Sequence, residues 1–104
     1  MVAAKSRMRK VRDNEAKIRC ASGPGLLREE VWEDEHGRVV RYNLAFINRY
    51  LVQKDNGRVL GYDSAHGSHH RHFKGAVEPC EFVSYAETLE RFIEEVSKLR
   101  KEKP

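Results

Sequence analysis

Four of the chain's five histidines, His66, His69, His70 and His72, fall within seven residues. They lie in the run Gly61-Tyr62-Asp63-Ser64-Ala65-His66-Gly67-Ser68-His69-His70-Arg71-His72-Phe73-Lys74-Gly75. Imidazole has the side-chain pKa nearest neutrality, so it can move protons or ligate metal at little cost. An ordinary solvent loop is built from Gly, Pro, Asn, Asp and Ser, each for a backbone reason, and needs no imidazoles. The stretch is therefore the candidate site.

Three chemistries fit these residue types. The first is metal-free phosphodiester cleavage, the work of an endoribonuclease that needs no cofactor. One imidazole takes the proton of the attacking hydroxyl and another protonates the leaving oxygen. Arg71 and Lys74 then stabilise charge on the phosphoryl oxygens, while Tyr62 and Phe73 offer faces for stacking bases. The second is a divalent metal such as zinc, held by His66, His69, His70 or His72 with Asp63. The spacing H-x-x-H-H-x-H matches no zinc signature, and Arg71 and Lys74 among the ligands would oppose a dication. The third is architectural, with Asp63 and the imidazoles ordering a long loop through hydrogen bonds.

Spacing narrows the first option. On an extended segment His70 and His72 share a face and His69 points away; on a helix His66 would converge with His69 or His70 instead. The preferred assignment makes His70 and His72 the acid/base pair, with His66 or His69 as substitutes. Asp63 orients an imidazole, and Arg71 and Lys74 hold phosphate, assisted by His69 and Tyr62.

The elements that must position this stretch are mostly strands. Lys17 to Cys20 alternates and suits a short edge strand, and Ser22-Gly23-Pro24-Gly25 then breaks the chain. Leu26 to Glu33 reads as a strand, Asp34-Glu35-His36-Gly37 as a turn, and His36 there as unremarkable. Val39 to Ile47 has the clearest alternation, with Val40, Tyr42, Leu44 and Phe46 on one face and Arg41 and Asn43 on the other. The second set reads as a solvated sheet face, and Trp32 as core. Tyr50 to Lys54 and Arg58 to Asp63 flank Asp55-Asn56-Gly57, an Asn-Gly hairpin signal; Leu51 would then pair with Tyr62, and Asp55 with Arg58. The histidine stretch reads as a loop, and Glu81 to Val83 as a short last strand.

Ser84-Tyr85-Ala86-Glu87 has the form of a capping box. Behind it Tyr85, Leu89, Phe92, Ile93, Val96 and Leu99 make one helical stripe running to about Lys101. The fold expected is α+β: an antiparallel sheet of four to six strands with one long C-terminal helix packed on a face. Residues 1–15 read as a basic arm or frayed helix, and residues 16–104 as one domain.

Composition bounds the partners. At 104 residues, with 39% hydrophobic and 35% charged side chains, the chain can bury one modest core under a charged surface. Residues 1–19 carry a net charge of +5 and residues 98–104 of +3, whereas the stretch between them carries −4. Basic ends on an acidic body suit a polyanion such as RNA, or an acidic protein. Cys20 and Cys80 read as free thiols. There is no apolar run to act as a signal peptide or to span a membrane, so a cytoplasmic protein with no membrane partner is expected.

The segments Arg38-Val39-Val40-Arg41-Tyr42-Asn43, Gly57-Arg58-Val59-Leu60-Gly61-Tyr62-Asp63-Ser64-Ala65-His66 and His69-His70-Arg71-His72, followed by a C-terminal helix, resemble a known pattern. They are similar to the small bacterial and archaeal TumE-like toxins of toxin–antitoxin systems, over roughly residues 26–100. The resemblance implies a toxin proposed to act on RNA and neutralised by a cognate antitoxin protein encoded beside it. Tyr62, Asp63, His66, His69, His70 and His72 match the shared stretch. A homodimer is compatible with the same reading. The rival reading is a non-catalytic module that binds protein or nucleic acid, its histidine loop architectural or metal-binding.

Overall fold

The computed structural model describes residues 7–65 and 67–104. Its elements are β1 (Met8–Ile18), β2 (Gly25–Asp34), β3 (Val39–Ile47), a 3-10 turn (Asp55–Gly57), β4 (Arg58–Ala65), β5 (Ser68–Phe73), β6 (Ala76–Pro79) and α1 (Tyr85–Leu99). The strands form one six-stranded antiparallel sheet in sequence order, β1-β2-β3-β4-β5-β6. The expected α+β sheet with a C-terminal helix is what forms.

Alternation decides what each face carries, because successive strand residues point to opposite sides. Val31, Tyr42, Leu44, Phe46, Leu60 and Tyr62 form the buried cluster under α1, with Phe92, Val96 and Leu99 of the helix packed on it. Burying a side chain such as Leu44 or Phe46 stabilises by about 1.5–3 kcal/mol. Ser84 caps α1 by accepting from the Glu87 backbone N–H at 3.1 Å. Ile93, counted on the apolar stripe, is 58% exposed instead, because the stripe is wider than the contact the helix makes.

Three local expectations are corrected. Met8 to Glu15, read as part of an arm or frayed helix, belongs to β1, whose cross-strand register with β2 holds the charged residues extended; residues 1–6 lie outside the described residues. Tyr50 to Lys54 is not a strand. Buried Asn48 folds the chain back on itself: its side chain donates to Ser22 Oγ and Gly23 O and accepts from the Tyr50 N–H, and its carbonyl accepts from Leu51 and Val52. Tyr62 therefore pairs with Leu44, not Leu51, while Asp55 and Arg58 do meet across the turn. The final strand is Ala76–Pro79, so Glu81 to Val83 lies outside it.

The histidine stretch is the largest change. It is a β-hairpin, not a loop. Ala65 pairs with Ser68 across a tight turn that includes Gly67, whose φ of 78° suits glycine. His69 to Phe73 pair with Leu60 to Ser64 in an unbroken register.

Candidate functional site

The hairpin sorts the histidine stretch by face. His69, Arg71 and Phe73 pair with Ser64, Tyr62 and Leu60 and point toward α1. His70 and His72 pair with Asp63 and Gly61 and point to the sheet face without a helix. The expectation that His70 and His72 share a face and that His69 points away holds, because the segment is extended. His66 lies outside the described residues.

On the open face the register lines up two rows across the sheet. One runs Asp13, Glu30, Asn43, Asp63, His70, Pro79; the next runs Glu15, Arg28, Ala45, Gly61, His72, Val77. Asp63 stands between the two histidines. Its Oδ2 is 2.9 Å from His72 Nε2 and its Oδ1 is 3.6 Å from His70 Nδ1.

Arg58 completes the cluster from the start of β4. Its Nε donates to Asp55 at 2.6 Å, and its Nη2 lies 3.0 Å from His72 Nδ1. Its path crosses Gly61, where an added Cβ would meet Arg58 Cδ at 2.9 Å and the Leu44 carbonyl at 3.2 Å. A guanidinium has donors only, so Nδ1 of His72 is the bare nitrogen. Its proton rides on Nε2 and is donated to Asp63. His72 is thus held with both nitrogens occupied, and its side chain is 13% exposed.

His70 differs. Its Nδ1 edge is turned to Asp63 while its side chain is 32% exposed. Nε2, on the far side of the ring, has no partner among the described residues. A carboxylate behind an accessible imidazole orients the ring and stabilises the imidazolium that forms when it takes a proton. Of the two histidines, His72 is held at both nitrogens, while His70 faces Asp63 at 3.6 Å and keeps Nε2 free among the described residues.

The other expected site residues stand apart from this pair. Arg71 bonds Glu95 of α1, the Tyr62 hydroxyl at 3.2 Å and Glu78 at 3.2 Å. Tyr62 also donates to Glu95 and is 1% exposed. Burial, with the hydrogen bond to Glu95, pushes its hydroxyl pKa up to about 12. These groups pin the helix to the sheet. His69 is stacked on Phe82 at 4.1 Å and Tyr42 at 5.7 Å, and its Nδ1 shares a hydrogen bond with the Tyr42 hydroxyl at 2.9 Å. Burial, and secondarily the neighbouring His70, lower its pKa. Lys74, in the β5–β6 turn with φ 48°, pairs with Glu102 at 2.9 Å.

Of the histidines offered as metal ligands, His69 is on the opposite side of the sheet from His70 and His72, and His66 lies outside the described residues. Among the described residues no three of His, Cys, Asp and Glu are grouped so as to hold a metal ion. Cys20 and Cys80 are free and half-buried against the core, and burial pushes the Cys80 thiol up. No helix among the described residues is long and apolar enough to cross a membrane.

Two members of the cluster escaped the sequence reading. Arg58 was taken as the start of a strand, although a glycine inside that strand is a sign of close approach, and here the approaching group is Arg58 itself. Asn43 was assigned to a solvated face; its Oδ1 is in fact buried and without a partner among the described residues.

No curated protein and no solved structure matches the chain. A protein-family model does, the one described as Toxin TumE, and it covers residues 8–100. That span takes in the whole sheet, the Asp63–His70–His72 cluster and the helix, and so the chain belongs to the TumE toxin family.

Proposed function

We propose that the protein is an RNA-cleaving toxin whose reactive group is His70, backed by Asp63, on the open face of the sheet. Membership of a toxin family supports the toxin role and implies a cognate antitoxin. The observation that carries the chemistry is the Asp63 carboxylate set between an accessible and a locked imidazole.

In this reading His70 Nε2 removes the proton of a ribose 2′-hydroxyl. The oxygen attacks the adjacent phosphorus and the P–O5′ bond breaks. The leaving 5′ oxygen takes a proton from water, which reaches this exposed face. The products are a 2′,3′-cyclic phosphate and a 5′-hydroxyl, and the route asks nothing of a metal. Arg71 and Lys74, offered as phosphate ligands, are paired with Glu95, Glu78 and Glu102 and have no part in this reading.

Induced expression in a bacterial host tests the reading. Wild-type protein should arrest growth, co-expressed antitoxin should relieve the arrest, and His70→Gln at equal abundance should leave growth normal. Growth arrest undiminished by His70→Gln would end the assignment of His70.

An architectural reading has support at two positions only. His72 has partners at both ring nitrogens, and His69 is held at Nδ1 and stacked on Phe82 and Tyr42, and for them the structural role is the better account.

A further inference from the structure

One helix is too narrow to cover six strands. Strands lie about 4.8 Å apart and packed helices about 10 Å apart, so a helix covers two strands. α1 lies over β3 and β4. Among the described residues no helix covers the same side of β1 and β2.

The two flanks of α1 differ accordingly. Toward β5, Glu95 bonds Arg71 and closes that flank. Toward β2, Tyr85 bonds Glu29, and Leu89 and Ile93 follow at helical spacing. Here an apolar groove of about 290 Å³ opens between helix and sheet, lined by Ala16, Leu27, Leu44, Leu89, Phe92 and Ile93. Ile93, more than half exposed, stands at its rim near the middle of α1.

The ends of this flank carry different charge. At the N-terminal end of α1, Glu29 accepts from Tyr85, Arg12 and Asn14, so the charges there are matched. At the C-terminal end a further hollow is lined by Arg19, Cys20, Ser97, Arg100 and Lys101. Arg100 Nε donates to the Arg19 carbonyl at 2.9 Å, which ties the cations together. None of the three has a carboxylate within 4.0 Å among the described residues.

We infer that this groove is the docking surface for the cognate antitoxin, and that it takes an amphipathic helix laid antiparallel to α1. The apolar stripe of that helix packs beside Ile93, and carboxylates in its first turn meet Arg19, Arg100 and Lys101. Its direction follows from charge, because carboxylates are favoured at a helix N-terminus and the unmatched cations lie at the C-terminal end of α1. Its width follows from the two uncovered strands. The inference rests on the toxin role, which implies the antitoxin, and not on the chemistry given to His70. The groove is on the other side of the sheet from His70, so this helix anchors the antitoxin and does not itself cover the reactive face.

The two free thiols make the test direct. Cys20 lines the hollow at the end of the groove, whereas Cys80 follows β6 at the opposite edge of the sheet. The purified protein is labelled with a small maleimide, alone and with the antitoxin encoded beside its gene, and each cysteine is followed by mass spectrometry. Bound antitoxin should shield Cys20 and leave Cys80 at its free rate. Ile93→Glu should raise the Kd for antitoxin at least about tenfold, because a carboxylate is then buried in an apolar contact. Arg19→Glu should weaken binding and make it less sensitive to salt. Val77→Glu, an equally exposed apolar position on β6, should bind as wild type. The unfolding midpoint of free Ile93→Glu should match wild type, which separates lost docking from lost fold.

A complex in which Cys20 is labelled at its free rate would overturn the inference, as would wild-type affinity in Ile93→Glu. Shielding of Cys20 that rises with the protein's own concentration, without antitoxin, and is lost in Ile93→Glu would give the groove to a second copy and overturn the antitoxin assignment. Expression of wild-type protein that causes no growth arrest would remove the toxin role itself, a failure distinct from a complex that forms and leaves Cys20 exposed.

Discussion

Arg58 Nη2 donates to Nδ1 of His72 at 3.0 Å, and this contact fixes the ring's tautomer. With Nδ1 serving as acceptor, Nε2 carries the proton to Asp63. The carboxylate is then oriented and its other oxygen left facing His70. Two imidazoles that look equivalent in the sequence become one held at both nitrogens and one whose Nε2 has no partner among the described residues.

That chain of contacts depends on the missing side chain at Gly61. Replacing Gly61 with Ala puts a methyl group 2.9 Å from Arg58 Cδ, and the Leu44 carbonyl at 3.2 Å gives it no room on the other side. The expected result is a loss of about 1–3 kcal/mol in denaturant unfolding. In ¹⁵N spectra of the histidine rings, His72 should lose its single Nε2–H tautomer. Arg58→Met should give the same spectral change. A unique tautomer surviving in both variants would contradict the role given to Arg58.

Glu95 holds Arg71 and Tyr62 together between α1 and β4–β5. Glu95→Ala leaves a half-buried guanidinium with the Tyr62 hydroxyl and Glu78 but without its shortest carboxylate partner, and should destabilise by about 1–3 kcal/mol. Denaturant unfolding measures this. RNA cleavage by the fraction that stays folded should be close to wild type, because these groups are on the helix side of the sheet.

The tyrosines set an alkaline limit. Burial raises both Tyr42 and Tyr62 to about 12 in the folded protein, against about 10 in an unfolded chain. A raised folded value means the unfolded state releases its protons first. The corresponding stability is therefore complete below pH 10 and falls as pH rises from 10 to 12. Thermal unfolding followed across that range should show the decline, and Tyr62→Phe should reduce it.

His69 acts in the opposite direction. Its lowered value in the folded state means the unfolded chain takes up a proton first as pH falls. Stability is full above the unfolded histidine value of about 6.5 and declines below it. The melting temperature should drop between pH 7.5 and pH 5, and His69→Phe, which keeps the stack with Phe82, should flatten that drop.

Where the sequence was legible, a physical signal stood alone. The Val39–Ile47 alternation predicted β3, and Ser84 with Glu87 marked the start of α1. In the histidine stretch the period of two was hidden because both faces are polar: His70 and His72 alternate with His69 and Arg71, and one face becomes interior only through the packing of His69 against Phe82 and of Arg71 against Tyr62 and Glu95. Asn56-Gly57 did signal positive φ, with both residues in that region. It closes a longer connection, since the anchor that shapes it, Asn48, bonds to residues more than twenty positions earlier. Met8 to Glu15 showed no period because its partner strand, not its own composition, makes it β. The division of roles between His70 and His72 depended on Arg58, which no spacing rule connects to either.

The most direct measurement is single-turnover cleavage of an end-labelled single-stranded RNA by purified, untagged wild-type and His70→Gln proteins, with the products' termini identified. The account predicts wild-type cleavage that leaves 2′,3′-cyclic phosphate ends and is undiminished by chelator, with a loss of at least about a hundredfold in His70→Gln. Cleavage by His70→Gln at the wild-type rate would contradict it.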